Sequence, residues 1–297
     1  MRFSEGISNI KDSVRGDNRP FDFHIHSNMS DGTYSPREIV SLAKAGGVFT
    51  IAVTDHDNVS GVREAQTAGE EEGVHVISGV EIDTEFECEL HIIGLCMNIN
   101  NPNFVRLLED AKVHRQERNK LIIERLENIG IPVSEKIESQ KDATVTRLNI
   151  AKAIVDCSFA QSFYEAFEKY LNKGRAGYVF VERTDKIKAV KTIKEAGGIA
   201  VLAHPCKLQC DKNKLVHDLK EAGLDALEIY YPKTTEGQLG ELMSLANRYD
   251  LDVSSGSDFH GKNRKNTDLG CAYQNVHCLN AFFEKVMLKE AENKRLS

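Results

Sequence analysis

Two histidines two residues apart, in Phe21-Asp22-Phe23-His24-Ile25-His26-Ser27, are the first chemical signal in the chain. On a β-strand such positions share a face. His24 and His26 then project together from a strand end, with a polar turn from Ser27 to Ser35 beyond. Two neutral imidazoles side by side are a poor core element and a good half of a divalent-metal site. Ligand-type residues recur downstream as His56, Glu81, His91, His204, Asp258 and His260. All but His91, which begins its apolar segment, fall at or near the C-terminal end of an expected strand. In an α/β barrel that end gathers the catalytic groups. Several imidazoles converging there with two carboxylates make sense as ligands to two or three divalent cations, and a carboxylate such as Glu81 can bridge two of them. A lone strand-end histidine is more often hydrogen-bonded or exposed. It is the recurrence at one end of successive strands that points to metal.

Other signals weigh less. His75 lies at the start of its strand and reads as structural; His114, on a long helix, touches substrate or faces solvent; His217 and His277 read as surface. Gly256-Ser257-Asp258-Phe259-His260-Gly261-Lys262-Asn263 nearly spells a phosphate-binding loop, but Asn263 stands where Ser or Thr is needed and Asp258 would repel phosphate.

The elements that must position these residues alternate. Ser35-Pro36-Arg37-Glu38 is a capping box opening a helix over Pro36–Ala45. A strand over 48–53, a helix over about 59–72, a strand over 74–82 and an apolar segment over 91–95 follow, arguing for a parallel sheet or barrel. The spacing breaks near residue 98. Helices over 104–128, about 148–156 and 159–171 then form an inserted cap, whose Lys112, Arg115, Arg118, Lys120 and Arg147 read mostly as a solvated face. Alternation resumes with strands at 178–181, 199–203, 226–230, 251–254 and near 271–276. The helices between and after them cover 184–196, 212–222, 235–249 and 279–294. The expected organisation is an extension (1–19), a first barrel part (20–98), the helical insertion (99–176) and a second barrel part (177–297).

A net charge of −7 argues against an extended nucleic-acid face, though not against a local basic pocket. No apolar run approaches the ~20 residues of a membrane span. Seven scattered cysteines without a signal-peptide core read as free thiols in a reducing cytoplasm. Nothing points to a protein partner.

Taken together, His24-x-His26-Ser27-x3-Asp31-Gly32, Thr54-Asp55-His56-Asp57, Gly79-Val80-Glu81-Ile82, His91-x-x-Gly94, Ala203-His204-Pro205 and Gly256-Ser257-Asp258-x-His260-Gly261 resemble the PHP-domain (polymerase and histidinol phosphatase) metallophosphoesterases. The helical insertion and Gly223-Leu224-Asp225-Ala226-Leu227-Glu228-Ile229-Tyr230-Tyr231 most resemble the 3′,5′-nucleoside bisphosphate phosphatase branch, which also includes enzymes trimming the 5′ ends of short RNAs. The resemblance implies a distorted seven-stranded (β/α) barrel and two or three ions, Mn²⁺, Fe²⁺ or Zn²⁺. It assigns His24, His26, Glu81 and Asp258 to a first ion, Glu81, His91 and His204 to a second, and Asp31, His56 and His260 to a third. Many relatives have His in place of Asp31; an oxygen-richer third site favours harder ions.

The resemblance also implies arginines that grip the substrate's phosphates: Arg118 and Arg147 first, Arg175 next, with His114 as a further contact. Where this chain has Thr146-Arg147-Leu148-Asn149, relatives tend to read Thr-Arg-Pro-His. The expected reaction is hydrolysis of a phosphate monoester of a small nucleotide, such as pAp, with release of inorganic phosphate. A metal-bridging hydroxide would attack in line, and His260, His56 or a water would protonate the leaving oxygen, beside Asp258. Asp55 and Asp57 are expected to orient imidazoles. The alternatives are histidinol-phosphate, cyclic-phosphate or short-RNA phosphoesterase activity, a metal-dependent amidohydrolase, and a non-catalytic metal-binding module.

Overall fold

The computed structural model describes residues 20–85, 89–138, 143–264 and 266–296; the expected 1–19 extension lies outside them. The barrel opens with β1 (Phe21–Ile25), α1 (Pro36–Ala45), β2 (Thr50–Val53), α2 (Val62–Glu72), β3 (His75–Glu85) and β4 (Leu90–Leu95). The helical segment holds α3 (Pro102–Asn128), α4 (Ser134–Glu138), α5 (Arg147–Asp156) and α6 (Phe163–Ala166), which runs into a wide turn over Phe167–Leu171. The chain returns through β5 (Thr184–Asp185), α7 (Lys186–Glu195), β6 (Ile199–Leu202), α8 (Lys212–Glu221), β7 (Ala226–Tyr230), α9 (Glu236–Arg248), β8 (Asp252–Ser255) and α10 (His277–Leu296).

Seven strands pair in the order β1-β2-β3-β4-β6-β7-β8, and two-residue β5 hangs on the end of β3. The first strand meets the chain just past the last. His26 N–H donates to Phe259 O at 2.9 Å, and Asp258 N–H donates to His24 O at 2.8 Å. The path therefore curls into the expected distorted seven-stranded barrel. It is not all parallel, however: β4 runs antiparallel to both β3 and β6. The reason is the short connection from β3 to β4, which has no room for a crossover helix.

Four further expectations need correction. Residues 178–181 form no strand. The chain pairs only at β5, and α7 begins two residues later than expected because Asp185 Oδ1 caps it, accepting from Lys188 N–H at 2.8 Å. Residues 271–276 form turns, with Cys271 N–H donating to Asp268 O and Tyr273 N–H to Gly270 O, instead of a strand. The last helix of the cap begins at Phe163, capped by Ser162, and not at 159. The capping box at Ser35 and Glu38 forms as expected, with both reciprocal bonds.

The faces of β1 divide the labour. Phe21 and Phe23 stack 4.4 Å apart and meet Phe283 and Phe282 of α10 at 5.4 and 6.2 Å. Each such buried ring contributes about 1.5–3 kcal/mol. The alternate face carries Asp22, His24 and His26 inward. Asp22 accepts backbone N–H bonds from His24, Ser257 and Gly270, stitching β1 to the segments after β8. Helix α3 spans two cores: Phe104 and Leu107 sit in the barrel's, Ile122 and Leu126 in a second one shared with Ile150 and Ile154. No described helix is long and apolar enough to cross a membrane.

Candidate metal centre

The barrel rim gathers the nine ligand-type residues. His24 and His26 come from the end of β1, His56 from the end of β2, and Glu81 from β3. His204 follows β6; Asp258 and His260 follow β8. His91 looked irregular because it starts its strand. Since β4 is antiparallel, its start lies at the same rim, opposite Asp83. The chain turns sharply where these side chains must face inward. Asp57, His204 and Asp258 all have left-handed backbones, with φ of 47°, 30° and 54°, a cost met where geometry is over-determined. At Gly256 a Cβ would collide with Glu228 Oε1 and with His24 Cβ, so glycine is required for the close approach.

The donors assigned to a first ion fit a coordination shell. His24 Nε2 and His26 Nε2 are 3.1 Å apart. They stand 3.3 and 3.1 Å from Glu81 Oε2, and 3.6 and 3.4 Å from Asp258 Oδ1. A tetrahedral ion with bonds of ~2.0–2.2 Å needs edges of roughly 3.3–3.6 Å. The other carboxylate oxygen of the glutamate, Glu81 Oε1, lies 2.8 Å from His91 Nδ1 and 3.1 Å from His204 Nε2. Around Asp31, His260 Nε2 is 3.3 Å from Oδ1, and His56 Nε2 is 3.8 Å from Oδ2. Three buried ring nitrogens without a hydrogen-bond partner face carboxylates of the cluster: His26 Nδ1 is 3.7 Å from Asp31 Oδ1, His56 Nδ1 3.3 Å from Glu81 Oε2 and His91 Nε2 2.9 Å from Asp83 Oδ1. The donor set and its orphaned nitrogens therefore fit divalent ions.

Burial and the carboxylates pull the rings apart. Burial disfavours the charged form of His24, His26 and His91, but neighbouring carboxylates, Glu81 above all for His91, more than offset it; all three pKa values rise, that of His26 to about 9. Burial wins at His56 and His204, which fall to about 4 and about 3. Burial would raise Glu81, yet His24, His91 and His56 hold it well below the usual carboxylate range.

One centre residue went unread in the sequence. Asp83 Oδ1 lies 2.9 Å from His91 Nε2 and 3.6 Å from His56 Nδ1. Its signal was available: Asp83 stands two residues after Glu81 on β3 and shares its face.

The outer partners also differ from expectation. Asp55 holds no imidazole among the described residues; it accepts from Ser27 N–H, Ser27 Oγ–H and Ser30 Oγ–H, and so shapes the turn after β1. Asp57 pairs instead with Arg115 and accepts Asp83 N–H at 3.1 Å. Arg115, expected on a solvated face, is buried between Asp57 and Asp83, because the barrel rim brings both carboxylates under α3. Glu228 orients an imidazole: its Oε1 accepts from His24 Nδ1 at 2.8 Å, leaving Nε2 for the cluster, and its Oε2 accepts His204 N–H. Thr146 Oγ donates to Asp31 Oδ2 at 2.9 Å, joining the helical segment to the centre. Asp258 accepts from Tyr231 Oη at 3.0 Å and Lys207 Nζ at 3.2 Å and pairs with Arg264.

The residues proposed for substrate separate. Arg118 is 4% exposed, and among the described residues its guanidinium donates only to Asn119 Oδ1. Burial, then Arg115, push its pKa down to about 9. It stays charged at neutral pH, a buried cation in want of an anion. It shares a cleft with His114, Arg115 and Arg183. Arg147 opens α5 just after its Thr146 cap, outside that cleft, 3.8 Å from Glu89 and 5.6 Å over the Phe167 ring. Arg175 is exposed in a turn and does not line the cleft. His75 pairs with Glu290, and His217 and His277 are exposed.

Comparison with known proteins agrees with this geometry. The family described as the PHP domain matches residues 22–181. A 5′-3′ exoribonuclease of Haemophilus influenzae is 37% identical over 82% of this chain and 90% of its own. A 3′,5′-nucleoside bisphosphate phosphatase of Chromobacterium violaceum is 30% identical over 84% of this chain and 90% of its own. A solved structure from Bifidobacterium adolescentis, described as a proposed metal-dependent phosphoesterase, superposes with a TM-score of 0.83 at 26% identity, covering 91% of this chain and 96% of that one.

Proposed function

This chain belongs to the PHP-domain family of metal-dependent phosphoesterases, and from that premise we propose that it hydrolyses a phosphate ester of a small nucleotide carrying a second phosphate, foremost a 3′,5′-bisphosphonucleotide of the pAp type. The observation that carries this is the buried ligand set beside Arg118, which has no carboxylate within ion-pair distance among the described residues. Ions held there, two or three of Mn²⁺, Fe²⁺ or Zn²⁺, supply Lewis acidity to a phosphoryl oxygen and ionise water near neutral pH.

The chain's own part is placement. Arg118 and Arg147 grip a phosphate in the forked geometry that guanidinium favours. Arg183 and His114 line the cleft that holds Arg118. Glu228 and Tyr231 hold His24 and Asp258 in orientation. A second reading, removal of nucleotides from short 5′-phosphorylated RNA, is favoured by the name of the 37% identical relative. It uses the same chemistry.

The test is a substrate panel with the Mn²⁺-loaded protein: pAp, histidinol phosphate, a cyclic phosphate, a short 5′-phosphorylated RNA and an amide. The expected result is at least tenfold higher kcat/KM on pAp or the RNA than on histidinol phosphate. Turnover of the amide and of no ester overturns the proposal.

A further inference from the structure

His91 turns its two nitrogens toward two different carboxylates. Nδ1 lies 2.8 Å from Glu81 Oε1 in the alignment of a hydrogen bond. A carboxylate oxygen only accepts, so Nδ1 carries the hydrogen, and in the neutral ring the lone pair is left on Nε2. Nε2 faces Asp83 Oδ1 at 2.9 Å, yet it is buried without a hydrogen-bond partner. Two acceptors that close need a shared proton or a cation between them, and the contact lacks the alignment that a shared proton demands. His56 brings a third donor. Its Nδ1, also buried and unpartnered, stands 3.6 Å from the same Asp83 oxygen. All three atoms lie within 4.8 Å of one another. Edges of 2.9 and 3.6 Å span the octahedral to tetrahedral shells of an ion with bonds of ~2.0–2.2 Å.

The fold builds this arrangement. The antiparallel register of β3 and β4 sets Asp83 directly opposite His91. Arg115, on α3, takes the other carboxylate oxygen, Asp83 Oδ2, at 2.9 Å and leaves Oδ1 to the rings. Asp258 is arranged alike, with Oδ1 toward His24 and His26 and Oδ2 paired with Arg264. His91 and His56 are only 5% and 9% exposed.

We propose that Asp83 Oδ1, His91 Nε2 and His56 Nδ1 hold a divalent transition ion at a site of their own, apart from the three ligand sets that the family resemblance assigns. The site takes His91 from the set of Glu81 and His204. It shares His56 with the set of Asp31, which keeps His260 at 3.3 Å. Two imidazoles and one carboxylate suit Fe²⁺ or Zn²⁺ and leave coordination positions open. Asp83 also lines the Arg118 cleft, so an ion held by it borders the space proposed for a substrate phosphate. The site requires a metal centre at this rim but no particular ester.

Metal binding tests it without turnover. Asp83→Cys puts a thiolate in place of the carboxylate. Loaded with Co²⁺, this variant should show a thiolate-to-cobalt charge-transfer band in the near ultraviolet that Co²⁺-loaded wild type lacks. Asp83→Asn keeps an oxygen for Arg115 and removes the charge. By elemental analysis after dialysis it should lose one ion of the wild-type complement. By calorimetry it should bind that ion more weakly by more than the ~10–100-fold that loss of an outer partner brings. Absence of the band, or a full complement in Asp83→Asn, overturns the site and makes Asp83 an outer partner of His91. If Asp83→Cys does not fold, the complement of Asp83→Asn decides alone. Failure of the substrate panel with these metal results intact would instead overturn the catalytic reading.

Discussion

His26, like His24 and His56, belongs to two ligand groups of the centre. It stands with His24 and Asp258 in one ligand group and with Asp31, His56 and His260 in another. Removing it should disturb two ions at once. His26→Ala is expected to lower bound metal, measured by elemental analysis, and to reduce kcat/KM by more than about 100-fold, beyond what loss of an outer partner brings. A full metal complement in the variant would show that His26 is not a ligand. His24, His26 and Glu81 were legible because a strand's period of two is short and strict. Asp83 obeyed the same rule but sat where the strand was expected to have ended. Arg115 was not legible: whether an arginine on a helix is solvated or buried depends on which carboxylates the fold carries to it, and Asp57 and Asp83 lie 58 and 32 residues away in sequence.

Among the elements, α3 is the one whose attachment carries most consequence. Its buried Arg115 joins it to the rim through Asp57 and Asp83, and its ends reach two separate cores. Arg115→Met leaves the buried Asp57 and the half-buried Asp83 without their cation, a change that costs about 3–5 kcal/mol for a fully buried pair. Chemical denaturation should show that loss, and adding Asp57→Asn should recover part of it. Full stability in Arg115→Met would mean that solvent already reaches the pair. The alternation of strands and helices revealed most elements, since buried strands and capped helices leave local signatures. The direction of β4 left none, because its six residues are buried at every position and read alike either way. β5 at two residues is too short for any periodic signal.

At the scale of the molecule, α10 closes the barrel's far end. Glu290 on it takes hydrogen bonds from His75, at the start of β3, and from Lys294. Burial would raise the Glu290 carboxyl, but these partners outweigh it and hold the pKa below 4.5. A depressed carboxylate stabilises the folded chain above its unfolded pKa, and that stability is lost as pH falls through the folded value. The Tm difference between wild type and Glu290→Gln should therefore be full at neutral pH and close progressively below about pH 4.5. A difference independent of pH would assign the effect to packing. The overall barrel was legible through its rim residues. Its closure, by Asp22 reaching Ser257 and Gly270, depends on contacts more than 230 residues apart that no local pattern announces.

The antiparallel β4 also has a consequence for how the chain is made. Its partner on the outer side, β6, begins at Ile199, while β4 ends at Leu95. At translation rates of roughly 5–20 residues per second, the ribosome needs on the order of 5–20 s to deliver that partner. For that interval an apolar strand edge stands open, the kind of surface that recruits another chain. The helical segment emerges within the same interval, and α3, whose first turns pack on the barrel core, is the first of it available to shield the nascent sheet. Synthesis of this protein should therefore depend on chaperones most strongly while residues between β4 and β6 are being added.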